Sequence, residues 1–252
     1  MNMVKKYQKG LSIVELMVAL LLSSLLILGV TQIYIDNKRS HLFQKAQADN
    51  SDSARFALTF LDNELNKAGF RRRPDILFEE VFKSDNTNGF NAGSVASKIT
   101  NGILIRYQAA HPGQTGCDGS EIDDIPDAPY VGIDAPILTA KLEFTDGQLK
   151  CEGETIVEGV ADFKLLYAVG ARSDAARSID RYTETPQASE EIRGIKYDIL
   201  LKSPNPNLAE ASDNAIYSSW REQHYAEENP NPDNKHIYQV TSNTIIFRNA
   251  TP

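Results

Sequence analysis

A single carboxylate, Glu15, is the only charged residue between Leu11 and Ile35, in a run otherwise built from apolar side chains and a few hydroxyl and amide residues. A carboxylate inside such a segment costs roughly 2.5–3.5 kcal/mol on membrane-insertion scales, so it requires a counter-charge. Its chemistry is therefore ion pairing in an apolar medium. The other reactive side chains are sparse. Cys117 and Cys151 are the only two thiols, and His41, His111, His224 and His236 are scattered without metal-ligand spacing. Asp118, Glu121, Asp123, Asp124 and Asp127 crowd one loop but lack the ordered spacing of a calcium site, which points to a solvated acidic loop. There is no G-x-S-x-G elbow, P-loop, H-E-x-x-H or C-x-x-C, so the sequence argues for no enzyme and no cofactor.

The element that carries Glu15 follows from length. About 20 apolar residues span a bilayer as a helix, and residues 11–35 suffice. Lys5, Lys6 and Lys9 precede the run, which places the N-terminus in the cytoplasm and the bulk of the chain outside it. Lys38 and Arg39 on the far side weaken that bias without reversing it. Three readings compete for the segment. A cleaved secretory signal needs small residues after the apolar core, and only Gly29-Val30-Thr31 approaches this. A plain signal anchor fits the length but leaves Glu15 unexplained. The third is cleavage after Gly10, which leaves the helix on the mature chain.

The stretch Lys9-Gly10-Leu11-Ser12-Ile13-Val14-Glu15-Leu16-Met17 resembles the start of the type IV prepilins. That family has a short basic leader ending in Gly, a hydrophobic helix just past it, and Glu at the fifth mature position, the place of Glu15. Leu11 departs from the usual Phe. The resemblance implies that prepilin peptidase cuts between Gly10 and Leu11 and methylates the new amine of Leu11. It also implies that this amine, or a neighbouring subunit's, pairs with Glu15 in the filament. The penalty on the acid would then vanish at one axial offset, which sets assembly register. A glutamate snorkelling to headgroups is the plainer alternative.

No Pro or Gly interrupts residues 36–68, and Ala54, Leu58, Leu61, Leu65 and Ala68 form an apolar stripe at helical spacing. One helix from Leu11 to Ala68 would be about 87 Å long. Gly69 then serves as C′ residue, and Pro74 forbids continuation. Arg71, Arg72 and Arg73 are expected to form a solvated cap there. The expected organisation is a leader (1–10), an N-terminal helix (11–69, transmembrane over about 11–35) and a periplasmic β-rich head (70–252). The fold class is α+β, with the long helix packed on an antiparallel β-sheet head. Expected strands are a short one near Leu77–Phe82, then Ile103–Tyr107, then Ala140–Thr145 turning at Asp146-Gly147 into Gln148–Cys151. Val160–Val169 and Ile195–Leu201 follow as central strands. Ile237–Val240 and Thr244–Phe247 are expected to close the head as a hairpin about Ser242-Asn243. Residues 110–136, with four prolines, read as a surface loop, and 205–234 as an irregular insertion anchored by Trp220.

An even cysteine pair in an exported head reads as a disulfide, ahead of a two-thiol metal site or free thiols. It closes a loop of about 35 residues, worth roughly 3–4 kcal/mol on the chain-entropy model. Three further blocks resemble the minor pilins of the PilW type and the related pseudopilin J of type II secretion. They are Leu61–Phe70, Gly159–Tyr167 and Thr244–Asn249, the last two being closer to the PilW type. The resemblance implies a minor pilin that helps start pilus assembly and remains near the pilus tip. Its implied partners are other minor pilins, the major pilin, the inner-membrane assembly platform, prepilin peptidase and a tip adhesin. It would be a single-pass inner-membrane protein with a periplasmic C-terminal domain before assembly, and lie on the pilus at the cell surface afterwards. The alternatives are a type II secretion pseudopilin of the J type, then a membrane-anchored envelope enzyme or adhesin. Loss of Lys5, Lys6 and Lys9 with the leader takes the net charge from −8 to −11, which argues against nucleic acid as a partner.

Overall fold

The computed structural model describes residues 10, 12–128, 130, 135–173, 177–206, 208, 215–226 and 236–250. Leader residues 1–9 and Leu11 lie outside that set. The chain divides into two compact units, residues 1–45 and 46–252. Helix α1 (Ile13–Leu65) runs unbroken through both, as expected for a stretch with no proline and a glycine only at Gly29. In the second unit its buried residues are Ala46, Asn50, Ala54, Ala57, Leu61, Glu64 and Leu65, so Ala57 takes the inward place expected of Leu58. The helix closes with tightened bonds from the Lys67 and Ala68 N–H groups to the Glu64 and Leu65 carbonyls. Gly69 follows in the left-handed region (φ 75°), where a Cβ would press on Ala250 and Val95 at 3.2 Å.

The head holds two antiparallel sheets where the sequence suggested one. The first is a meander of β1 (Ala96–Ile99), β2 (Gly102–Gln108), β3 (Ile137–Thr145), β4 (Gln148–Cys151) and β5 (Glu154–Glu158) in that order. Asp146 and Gly147 (φ 54° and 73°) make the β3–β4 turn, the left-handed pair that a two-residue hairpin favours. The second sheet contains β6 (Val160–Ala171), β7 (Arg181–Thr183), β8 (Glu190–Lys202) and β9 (Tyr238–Ile246), ordered β7-β6-β8-β9. The chain passes between the sheets at Gly159: Glu158 pairs with Gln148 in one, and Val160 with Leu201 in the other. Pairing partners this distant in sequence are not visible in local periodicity. One core unites them, with Leu61 and Leu65 of α1 in a cluster with Ile105, Leu142, Ile199 and Phe247.

Three expectations fail. Leu77–Phe82 is not a strand; the short helix α2 (Phe78–Val81) occupies it, with Val81 and Phe82 buried in the core. The closing hairpin is one continuous strand, because Ser242 and Asn243 pair with Asp198 and Tyr197 of β8 and never turn. The insertion around Trp220 contains helix α3 (Ala215–Tyr225). Trp220 is its buried anchor, packed with Leu200 and Tyr238. Residues alternate faces along a strand, so Leu200 faces away from the main core that holds Ile199 and Leu201.

Candidate functional site

The first turn of α1 positions Glu15. The Leu16 N–H donates to the Ser12 carbonyl (3.1 Å), so Ser12 stands at the N-cap and Glu15 three residues on, the spacing of a capping box. The helix dipole favours an acid there by about 0.3–1 kcal/mol at exposed sites, less than the roughly 2.5–3.5 kcal/mol cost of immersion in lipid. Capping alone therefore does not offset the burial of this group in a membrane. The Glu15 carboxylate has no hydrogen bond or ion pair among the described residues, and its flanks Ile13, Val14, Leu16 and Met17 are all more than half exposed. Three hydroxyls farther along the apolar run are satisfied within the helix. Ser23 donates to the Leu20 carbonyl (3.0 Å), Ser24 to Leu21 (2.8 Å) and Thr31 to Ile27 (2.7 Å). An apolar medium demands such bonds of polar groups, and the Glu15 carboxylate, the one charged group of the run, has none among the described residues. The helix is long and apolar enough to cross a membrane.

At the other end of α1 the three arginines diverge. Arg73 pairs with Asp75 at the surface (2.5 Å), as a solvated cap would. Arg71 lies over the Phe78 ring at 3.6 Å and donates to the Ile76 carbonyl. Arg72 corrects the expectation: it is buried and donates to the carbonyls of Ala110 (2.8 Å), Pro126 (2.9 Å) and Ala128. It thereby fixes the long loop after β2, which has few backbone bonds of its own. Arg106 has the same role on the outer face of β2. Its guanidinium donates to the carbonyls of Ser94 and Lys83 (2.6 Å each), Asn91 (2.9 Å) and Phe82 (3.2 Å), and sits 4.4 Å from the Phe90 ring. Burial pushes its pKa down to about 10, so it is still charged at neutral pH. An apolar residue would have been the simpler expectation at that strand position, and nothing local marks it out.

Cys117 and Cys151 are joined, with Cα atoms 6.0 Å apart, tying that loop to the end of β4. In the same loop Asp118 accepts the Ser120 N–H (3.0 Å) and hydroxyl (2.7 Å), bonds that hold its carboxyl below the usual range. No group of three acidic, His or Cys side chains converges to hold a metal among the described residues. The histidines stay apart: His111 bonds the Pro112 carbonyl, His236 the Ser203 carbonyl, and His224 lies 3.9 Å from Asp198.

Asparagines fasten the head end of α1 to the last strand. The Asn50 amide donates to the Ile237 carbonyl (2.9 Å), Asn243 to Asp62 (2.8 Å) and Asn249 to the Asn66 carbonyl (2.8 Å). Of these only Asn50 leaves a signal in sequence, as a polar residue on the buried stripe of α1. On the far side of β8, Asp162 accepts from the Trp220 indole (2.8 Å) and the Tyr225 hydroxyl (2.7 Å), which docks α3.

Two comparisons with known families cover both ends of this arrangement. Residues 135–249, from the start of β3 to beyond β9, match the family described as type IV pilus-assembly protein W. Residues 5–31, which contain Lys5, Lys6, Lys9, the Gly10-Leu11 bond and Glu15, match the prokaryotic N-terminal methylation motif. No curated protein and no solved structure matches the chain. The chain is thus similar over residues 135–249 to pilus-assembly protein W, behind an N-terminus similar to the methylation motif.

Proposed function

We propose that the protein is a low-copy structural subunit of a type IV pilus, cut by prepilin peptidase between Gly10 and Leu11 and methylated on Leu11. It waits in the inner membrane on residues 11–35 with its head in the periplasm. Together with other minor pilins, the major pilin and the assembly platform it starts a filament and stays near the tip, where a tip adhesin is a further partner. The observation that carries this reading is the lone Glu15 carboxylate, without a partner among the described residues in an apolar run where Ser23, Ser24 and Thr31 are bonded within the helix. Both family matches support it.

The mechanism is passive. In lipid the acid stands at a cost of roughly 2.5–3.5 kcal/mol, and a methylated amine beside it removes that cost. A free-energy difference near 3 kcal/mol favours the paired arrangement by about two orders of magnitude. Adjacent helical residues lie about 1.5 Å apart along the axis, so a shift of a turn breaks the pair. Glu15→Ala is expected to leave the head folded and to reduce recovery of the subunit from sheared pili by at least ten-fold. Wild-type recovery of this variant would refute the register mechanism.

A further inference from the structure

A cavity of about 560 Å³ opens in the head where the last turns of α1 meet the loop after β2. That volume lies within the range of small-ligand pockets. Its wall chemistry selects the ligand. Lys67 is neutralised by Glu64 at 2.6 Å, so the site offers no free ammonium to an anion. No Asp or Glu lines it, so no carboxylate there favours a cation. The strand beneath it, β2, is bonded to β1 and β3 on its two sides, so no sheet edge is open for a peptide to extend. Beside Tyr107, His111 and Thr115, the polar wall is built mostly of amides. Gln114 spends its oxygen on the Ala110 N–H (2.6 Å), and Asn66 and Asn249 spend their amide hydrogens on the Asp62 and Asn66 carbonyls (2.7 and 2.8 Å). Each is thereby held in place with its other half uncommitted: a donor on Gln114, acceptors on Asn66 and Asn249. Asn63, exposed on α1, adds one more amide, and half-buried Phe70 adds a ring.

Fixed donors and acceptors together with an aromatic surface and no net charge match a ligand that is rich in hydroxyls and has an apolar face. We propose that this cavity binds an uncharged saccharide unit, which gives the head a glycan-binding activity beyond its part in assembly. The site stands on the head alone and does not depend on Glu15 or on processing.

The test is saturation-transfer NMR on the full chain in a detergent without a sugar headgroup. Glucose, galactose, N-acetylglucosamine and N-acetylgalactosamine are added singly, with methyl phosphate and a neutral hexapeptide as controls. At least one sugar is expected to receive saturation and the controls none. Asn63→Ala should weaken that binding several-fold, and Asn63→Trp, which fills the mouth from an exposed helix position, should abolish it with an unchanged melting curve. Silence from all four sugars, transfer to the peptide or phosphate instead, or full binding in folded Asn63→Trp would overturn the proposal.

Discussion

Replacing Arg106 by methionine keeps the stem that packs beside Phe82 and Phe90 and removes the guanidinium that satisfies the segment crossing over β2. Of the four carbonyls it serves, those of Phe82 and Asn91 also accept backbone N–H groups, from Gly93 (2.8 Å) and Ser94 (3.1 Å). Those of Lys83 and Ser94 accept from nothing else among the described residues. Each orphaned carbonyl costs about 1–3 kcal/mol, and relief from burying a charge offsets part of the sum, which leaves a loss of about 3 kcal/mol. For a unit of this size that corresponds to a fall of about 6–12 °C in Tm. Arg106→Lys should fall nearly as far, because one ammonium cannot span carbonyls contributed by four residues. The assay is thermal unfolding of the full chain in detergent, followed by near-ultraviolet circular dichroism. A fall below about 2 °C in Arg106→Met would refute the reasoning, since it would mean that water satisfies those carbonyls as well as the guanidinium does.

The disulfide and one histidine give two further expectations. Cys117 and Cys151 are 34 residues apart, so Cys151→Ser should cost about 4 kcal/mol on the chain-entropy model, and an unchanged melt would refute that assignment. Burial holds the His224 pKa below its ordinary value despite Asp198 and Asp162, with Lys164 and Lys196 adding to the depression. The folded state then binds fewer protons than the unfolded one, so this contribution is intact above the unfolded pKa of about 6.5 and is lost as pH falls below it. His224→Gln should therefore lose less stability than wild type between pH 7 and pH 5 in urea titrations. An identical loss in both would contradict the burial argument.

What the sequence disclosed was local. Gly10, Glu15 and the apolar run lie within 25 residues of one another, and the Asp146-Gly147 turn and the Gly69 helix stop are each set by one or two side chains. What stayed hidden depended on distant partners. Arg72 reads as a solvated cap until the carbonyls of 110–128 are brought beside it. Ser242-Asn243 reads as a turn because small polar residues favour turns, yet Asn243 is polar so that it can reach Asp62 across the core edge. Leu77–Phe82 is too short for periodicity to decide between strand and helix. The split into two sheets follows from the pairing of β8 with β6 and with β9, which joins residues as far apart in the chain as Gly194 and Ile246.

The most direct test of the whole account is the mass of the native N-terminus, measured on protein recovered from cells that possess the peptidase. The account predicts a chain that begins at Leu11 and carries one added methyl group on its amine. A chain that retains residues 1–10 would contradict it, because the Leu11 nitrogen would then be an uncharged peptide group and could not be the cation that meets Glu15 in the filament.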